Sequence, residues 1–136
     1  MLLYKAYIEN FRNIDNITIN FTEFNVLIGE NNIGKTNILT AINRVLNKNV
    51  YFKEDDFKNL ENPIIIELSF NALSDEDKAA FFDLDGILNP EDNDITIKTI
   101  ATWRNTIGNA DISFNNRKIL KSKNNDKVVN NIMEKF

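Results

Sequence analysis

The sequence predicts an α/β fold in which a mixed, largely antiparallel sheet surrounds one central helix. The first observation behind this prediction is an apolar, β-branched stretch at residues 24–28 that runs into a glycine-containing turn and then into a helical pattern. The second is a series of stretches that alternate apolar and polar residues with a period of two, separated by short polar turns. Such a series is typical of antiparallel strands, and 136 residues give room for one domain.

The turn at residues 29–36 has the form G-x-x-x-x-G-K-T. In such a loop the glycines let backbone N–H groups close around phosphate oxygens, Lys35 reaches the outer phosphates and the hydroxyl of Thr36 ligates Mg²⁺. A strand before the loop and a helix after it aim the helix N-terminus, with its unpaired N–H groups, at an anion. The sequence therefore predicts a P-loop NTPase fold. The candidate nucleotide-binding residues are Gly29, Glu30, Asn31, Asn32, Ile33, Gly34, Lys35, Thr36 and Asn37.

Composition limits the other chemistries open to the chain. It has 16 basic and 20 acidic side chains, a net charge of −4, so it lacks the basic footprint expected of a stand-alone DNA-binding protein. It has no Cys and no His, which removes thiolate metal sites, thiol nucleophiles and imidazole acid–base catalysis. The N-terminus lacks a signal-peptide pattern, and no apolar run approaches transmembrane length. We therefore expect a cytoplasmic protein without membrane contact.

A hairpin of two strands is predicted before the phosphate-loop strand, and one helix is predicted after the loop. Residues 3–9 and 16–21 alternate with a period of two, and the connector at 10–15 is a turn signal, so a hairpin is expected beside the strand at 24–28. The helix has two faces. Its apolar face is predicted to contain Ile38, Leu39, Ala41, Ile42, Val45 and Leu46, and its polar face Asn37, Thr40, Asn43, Arg44 and Asn47.

Residues 51–57 mix aromatic and acidic side chains and are predicted to form an ordered loop. The acidic run at 54–56 could ligate a divalent cation. However, three consecutive carboxylates cannot all face one ion from a regular element. A solvated turn is therefore the preferred interpretation.

A strand, a short helix and a meander are predicted in the second half of the chain. Pro63 opens a strand at 64–70, where its missing N–H costs least at the edge. Ser74 lies three residues before Asp77, which predicts a capped helix start. Three alternating stretches predict an antiparallel meander, at residues 94–104, 110–114 and 117–120.

Three features have both a functional and a structural interpretation. The acidic pair within residues 83–86 resembles a metal motif, but a loop is preferred because glycine and proline follow. Trp103 could stack on a base, but a lone Trp in an alternating strand favours the core. The tail at 118–127 is basic and could contact phosphates, yet a solvated segment is preferred. Residues 128–136 have helical spacing.

Ile-Glu-Asn-Phe-Arg-Asn at residues 8–13 and Asn-Val-Leu-Ile-Gly-Glu-Asn-Asn-Ile-Gly-Lys-Thr-Asn-Ile-Leu at 25–39 resemble the N-terminus of RecF/SMC-like ABC ATPases. Within that group the chain looks most like the OLD (overcoming lysogenization defect) family of ATP-dependent endonucleases, which includes the ATPase subunits of anti-phage systems such as Gabija. The resemblance implies the N-terminal lobe of an ABC-type ATPase head. It continues with decreasing specificity through residues 55–57, 63–70, 73–78 and 100–103.

The resemblance also implies roles for single residues. Arg12 falls on the basic residue of an N-F-R turn near the phosphates, and Asn31 falls on a donor to the γ-phosphate. Lys35 would neutralise the β and γ oxygens and Thr36 would hold Mg²⁺, so ATP and Mg²⁺ are the expected cofactors. Asn32 stands where SMC-type loops usually have Gly, and Asn tolerates a left-handed backbone.

A complete ABC head has further parts that this chain lacks. They are a Walker B strand ending in Asp-Glu, a signature motif, a Q-loop Gln and a switch His, to which the OLD family adds a Toprim nuclease module. The chain has no Gln and no His, and no apolar run capped by Asp-Glu follows Lys35. We therefore expect one partial ATPase domain over residues 1–136, either a fragment or a truncated gene product. Residues 1–50 would supply strands, loop and first helix, and 51–136 an antiparallel section with short helices.

The leading hypothesis is the ATP-binding lobe of an OLD-type ATPase and endonuclease that acts on DNA in phage defence or DNA metabolism. DNA would be bound through the complete protein, which would form a homodimer or a larger assembly. The first alternative is an SMC- or RecF-like repair ATPase without a nuclease. The second is a truncated, non-catalytic, nucleotide-dependent interaction module. No catalytic residue is assigned within the chain, so its own enzymatic activity stays open.

Overall fold

The computed structural model describes residues 2–21, 32–46, 51–82, 93–104, 107–114 and 117–118. Two strands, a long helix, a strand, a short helix and a final run of strands follow one another along the chain. The elements are β1 (Leu2–Phe11), β2 (Ile14–Asn20), α1 (Asn32–Leu46), a 3₁₀ turn (Glu54–Asp56), β3 (Ile64–Asn71), α2 (Asp75–Phe82), β4 (Ile95–Arg104), β5 (Ile107–Phe114) and β6 (Arg117–Lys118).

The strands form one six-stranded sheet in the order β2-β1-β3-β4-β5-β6, and every described pair is antiparallel. The predicted hairpin and the predicted meander are both present, and the fold class is confirmed. The hairpin is tighter than predicted, because pairing runs to Phe11 opposite Ile14 and leaves a two-residue turn. The strand predicted at residues 24–28 lies outside the described residues.

The hydrophobic core lies between one face of the sheet and α1. On β1, β3 and β4 every second side chain is buried, as the period of a strand requires. Burial of each large apolar side chain contributes about 1.5–3 kcal/mol. The buried apolar residues are Ala6, Ile8, Phe11, Ala41, Ile42, Val45, Phe52, Phe57, Ile64, Ile66, Leu68, Phe70, Ile95, Ile97 and Ala101.

Helix α1 buries a stripe that is shifted from the predicted one. Leu39, predicted on the apolar face, is 45% exposed, whereas Asn37, predicted on the polar face, is only 8% exposed. Ala41, Ile42 and Val45 are buried as predicted. A polar side chain is buried without penalty only when it is hydrogen-bonded, and Asn37 meets this condition through contacts with the β1–β2 turn.

The cap predicted for α2 is confirmed. The backbone N–H of Asp77 donates to Ser74 Oγ at 3.1 Å, and the backbone N–H of Ser74 donates to Asp77 Oδ2 at 2.9 Å. This reciprocal pair is a capping box. The acidic pair within residues 83–86 and residues 119–136, which include most of the basic tail, lie outside the described residues.

Trp103 packs against the core, in agreement with the structural interpretation of this residue. It is partly buried, and its ring meets that of Phe57 edge-on at 5.8 Å between centroids. Strand β5 begins at Ile107 and is therefore three residues longer than the predicted stretch at 110–114. Within the described ranges, no helix is long and apolar enough to cross a membrane.

Asn10 ties the end of β1 to the loop before β3. Its backbone has a positive φ of 58°, which Asn adopts more readily than most residues. Its side-chain amide donates to the carbonyl oxygens of Asn59 at 2.9 Å and Asn62 at 2.8 Å, and its Oδ1 accepts the N–H of Asn59 at 2.9 Å. One buried side chain therefore fixes the path of residues 59–63.

We predict that Asn10→Asp destabilises the protein by about 1–3 kcal/mol at pH 7, because a carboxylate would face two carbonyl oxygens that now accept from an amide. The measurement is the shift of the urea unfolding midpoint. Asn71→Asp is the matched control, since it adds the same charge at an exposed position at the end of β3. An equal shift in both variants would contradict the role assigned to Asn10.

A second prediction concerns Tyr7 on the outer face of β1. Its hydroxyl donates to Glu9 Oε1 at 2.9 Å. This hydrogen bond, followed by desolvation and by the charges of Glu9 and Glu67, raises the pKa of Tyr7 above 10.0. The folded state therefore holds the phenolic proton at a pH where the unfolded state has released it.

The contribution of Tyr7 to stability is fully present below about pH 10 and is lost as the pH rises through the pKa of the folded state. Between about pH 9 and pH 11, we expect the free energy of unfolding to fall less steeply with pH in Tyr7→Phe than in the parent. Urea unfolding at stepped pH measures this, with Tyr51→Phe, which removes an exposed hydroxyl, as the control. The same change of slope in both variants would refute the prediction.

Candidate nucleotide-binding site

The start of α1 carries the part of the predicted phosphate loop that the structure describes. Residues 32–36 open the helix, as the motif requires of its last residues, while residues 29–31 lie outside the described residues. Lys35 is half-buried and Thr36 is exposed in this first turn. Both of these predicted site residues therefore lie at a helix N-terminus, where positive potential is concentrated.

Arg12 occupies a strained position in the turn between β1 and β2. Its φ is 54°, a left-handed conformation that costs a non-glycine residue about 1–2 kcal/mol. Its backbone N–H donates to the carbonyl oxygen of Asp56 at 2.7 Å. A strained residue persists only where its surroundings hold it, and such residues concentrate at functional sites.

The side chain of Arg12 reaches the first turns of α1. Its Nη1 donates to Asn37 Oδ1 at 3.1 Å, and Asn37 Nδ2 in turn donates to Asn13 Oδ1 at 2.7 Å. Both polar atoms of Asn37 are thus bonded to the β1–β2 turn. The guanidinium of Arg12 thus contacts α1 at Asn37, one residue after the residue predicted to hold the metal.

Asp56 lies at the centre of this arrangement, and its burial corrects the prediction that the acidic run is solvated. Asp56 is 3% exposed, whereas Glu54 and Asp55 are exposed as expected. Its Oδ1 accepts from Arg12 Nε at 3.2 Å, and its Oδ2 accepts from Arg44 Nη1 at 3.0 Å and from the backbone N–H of Lys53 at 2.8 Å. A carboxylate can be buried when its charge is paired and its lone pairs are satisfied, which is the case here.

The alternative of a cation site at the acidic run finds no support in the described part of the chain. No group of three or more His, Cys, Asp or Glu side chains there could hold a metal ion. Two guanidinium groups surround the one buried carboxylate instead. We call Arg12, Arg44 and Asp56 the arginine–aspartate cluster, and its formal charge is +1.

Aromatic rings support both arginines of the cluster. The guanidinium of Arg12 lies 5.2 Å from the ring centroid of Phe11, and that of Arg44 lies 5.9 Å from the centroid of Phe52. Arg44 also donates to the carbonyl oxygen of Tyr51. The two phenyl rings meet edge-on at 6.3 Å in the core. The cluster is therefore attached to the core through aromatic faces as well as through charge.

Sequence reasoning placed Arg12 near the phosphates but missed the roles of Arg44 and Asp56. A signal existed for Arg44, since it lies seven residues after Asn37 and so on the same face of the helix. No such local signal marks Asp56, because it is the pairing of the next residue, Phe57, with Phe11 in the fold that brings it beside Arg12. Asp56 lies between the buried residues Phe52 and Phe57 in the sequence and is close to the core. Its neighbours Glu54 and Asp55 are nevertheless exposed.

A family model described as an AAA ATPase domain matches residues 1–136 of this chain. The endonuclease GajA of Bacillus cereus (strain VD045) is 39% identical over 79 residues, which are 52% of this chain and 14% of GajA. The DNA replication and repair protein RecF of Clostridium acetobutylicum (strain ATCC 824) is 51% identical over 43 residues, which are 31% of this chain and 12% of RecF. The chain thus spans a small part of the length of either relative.

Among solved structures, that of the recombination mediator protein RecF-ATPrS in the RecFOR pathway matches with a TM-score of 0.59 at 22% identity. It covers 93% of this chain and 29% of that one, and at this identity the likeness shows the fold alone. These matches together confirm the prediction of a RecF/SMC-like ATPase lobe with similarity to an endonuclease of the GajA type. Because the family model covers the whole chain, the chain belongs to the AAA ATPase domain family.

Proposed function

We propose that this chain is the ATP-binding N-terminal lobe of an OLD-type ATPase and endonuclease that acts on DNA. The observation that carries the proposal is the hydrogen bond from Arg12 to Asn37, which attaches a guanidinium to α1 two residues after Lys35 and one after Thr36. Two cationic side chains, a hydroxyl and a helix N-terminus then belong to one region. Such a set of donors fits a polyphosphate with its Mg²⁺.

Each group has one task in this proposal. Lys35 neutralises the β and γ oxygens of ATP, and Arg12 adds a second cation beside the phosphates. Asn31 donates a hydrogen bond to the γ-phosphate, and Thr36 offers its hydroxyl oxygen to Mg²⁺. The ion, when bound, neutralises charge between the β and γ oxygens. The backbone N–H groups of residues 29–34 close around the same oxygens.

Hydrolysis requires groups other than these. In ATPases of this kind a carboxylate or an equivalent group orients the attacking water, and further cations stabilise the charge of the transition state. The 136 residues contain no His, no Gln and no apolar run ending in Asp-Glu after Lys35. In this proposal, ATP hydrolysis, DNA binding and DNA cleavage are carried out by the complete protein. That protein is cytoplasmic, forms a homodimer or a larger assembly, and acts in phage defence or DNA metabolism.

An SMC- or RecF-like repair ATPase without a nuclease is the second candidate. The identity of 51% with RecF over 43 residues favours it. The longer match of 79 residues with GajA favours the OLD type. A reading frame downstream that encodes a Toprim module would support the first proposal, and one that encodes a coiled coil would support the second.

We predict that Mg-ATP stabilises the chain against thermal unfolding and that Lys35→Ala removes this effect. Ligand at about 100 times its dissociation constant stabilises a folded protein by about 2.7 kcal/mol, which a thermal-shift measurement detects. Lys53→Ala is the control, because it removes an exposed lysine from the loop beside Asp56 while keeping the backbone N–H that Asp56 accepts.

The same titration tests the interaction-module hypothesis. A module that does not bind nucleotide would show no stabilisation by ATP with or without Mg²⁺. Stabilisation by Mg-ATP in the parent and in Lys53→Ala, but not in Lys35→Ala, would exclude that hypothesis.

We further predict that the chain alone binds ATP without multiple turnovers, because it lacks a group to orient water. Phosphate release under excess Mg-ATP, compared with a protein-free blank, measures this. Turnover above the blank that Lys35→Ala abolishes would show that a hydrolytic group exists among the 136 residues.

A further inference from the structure

We propose that Asp56 is a positioning residue for the nucleotide site and that it acts on the phosphates through Arg12. This inference rests on the proposed function, because it names the residue that prepares Arg12 for its phosphate contact. Asp56 does not itself touch the nucleotide. It holds the turn and the guanidinium in one orientation before the nucleotide arrives.

The contacts between the two residues are the first step of the argument. Asp56 holds Arg12 at two separate points, since its carbonyl oxygen accepts the Arg12 backbone N–H at 2.7 Å and its carboxylate accepts Arg12 Nε at 3.2 Å. The first contact stabilises the left-handed backbone and the second fixes the side chain. Together they leave Arg12 little freedom to rotate away from α1.

The second step concerns which nitrogen atoms of Arg12 are left for a ligand. Nε donates to Asp56 and Nη1 donates to Asn37, whereas Nη2 has no partner among the described residues. The side chain of Arg12 is 34% exposed, while that of Asp56 is 4% exposed. The guanidinium is therefore held at Nε and Nη1, while about a third of the Arg12 side chain stays accessible beside the N-terminal half of α1.

The third step explains why one carboxylate can serve this purpose without cancelling the cation. Asp56 also accepts from Arg44, so its single negative charge is shared between two guanidinium groups. The cluster keeps a formal charge of +1, so pairing with Asp56 does not cancel the charge of Arg12. A group that is preorganised in this way does not pay the entropy of ordering when the ligand binds.

The test is a double-mutant cycle on Mg-ATP affinity, measured by calorimetry on the 136-residue chain. We expect Asp56→Asn, which keeps the size and one acceptor but removes the charge, to weaken Mg-ATP about tenfold. Arg12→Ala should weaken it by at least as much. In the Arg12→Ala background, Asp56→Asn should change affinity less than about twofold, because the effect passes through Arg12. Asp55→Asn, the exposed neighbour, is the control and should bind as the parent does.

The outcomes separate the inference from the proposed function. Parent-like affinity in Asp56→Asn, or the same loss in both backgrounds, would overturn the positioning role while Lys35→Ala still abolishes binding. Absence of Mg-ATP binding by the parent would overturn the proposed function and the inference with it.

A second variant keeps the test decisive if Asp56→Asn fails to fold. Arg12→Lys conserves the charge at a partly exposed site but lacks the fork that contacts Asp56 and Asn37 at once. We expect it to weaken Mg-ATP severalfold while the variant still unfolds in one cooperative transition, at a lower midpoint than the parent because the Asp56 contact is weakened. Parent-like affinity in Arg12→Lys would mean that charge alone is needed and would overturn the inference.

Discussion

The structure depends on one buried carboxylate that two arginines share. Asp56 accepts four hydrogen bonds, from the side chains of Arg12 and Arg44 and from two backbone N–H groups when the contact of its carbonyl oxygen is included. Burial of a charge costs several kcal/mol, and the partners mainly offset that cost. The carboxylate therefore adds little net stability, but any arrangement that leaves it buried and unpaired is strongly disfavoured. The β1–β2 turn, helix α1 and the loop at residues 51–57 have one mutual placement in which no charge is left unpaired.

The core decides where this carboxylate can lie. Phe11 ends β1 inside the core, pairs through its backbone with Phe57 and meets the ring of Phe52. The next residue along the chain, Arg12, is therefore at the rim of the core, and the residue before Phe57 is Asp56. Antiparallel pairing with β3 fixes where β1 ends and therefore where the β1–β2 turn lies along the sheet. The buried side chains of Ala41 and Val45 hold α1 against the same face of the sheet. The packing of Phe11 and Phe57 therefore brings together Arg12 and Asp56, which are their neighbours in the sequence.

Much of this fold could be predicted from the sequence because it rests on local patterns. The strands at β1, β3 and β4 were visible in their alternation, and the α2 cap in the spacing of Ser74 and Asp77. The burial of Asp56 could not be predicted in the same way, because its partners are 44 and 12 residues distant in the chain. Asn37 was assigned to the wrong face for the same reason, since the bonds that bury it come from the β1–β2 turn. Local pattern predicts which element forms, whereas the burial of a polar group depends on what another element brings to it.

Charge illustrates the same difference between the whole chain and the site. The chain carries a net charge of −4, which argues against unassisted binding to nucleic acid over a broad surface. Screening at physiological ionic strength limits interactions between exposed charges to about 8 Å. A phosphate at the start of α1 would therefore respond mainly to groups nearby, such as Lys35 in the first turn and Arg12 on Asn37, whereas Arg44 lies in the last turn of the helix. The net charge of the chain is therefore no argument against the proposed phosphate contact, which depends on Arg12 and its immediate neighbours.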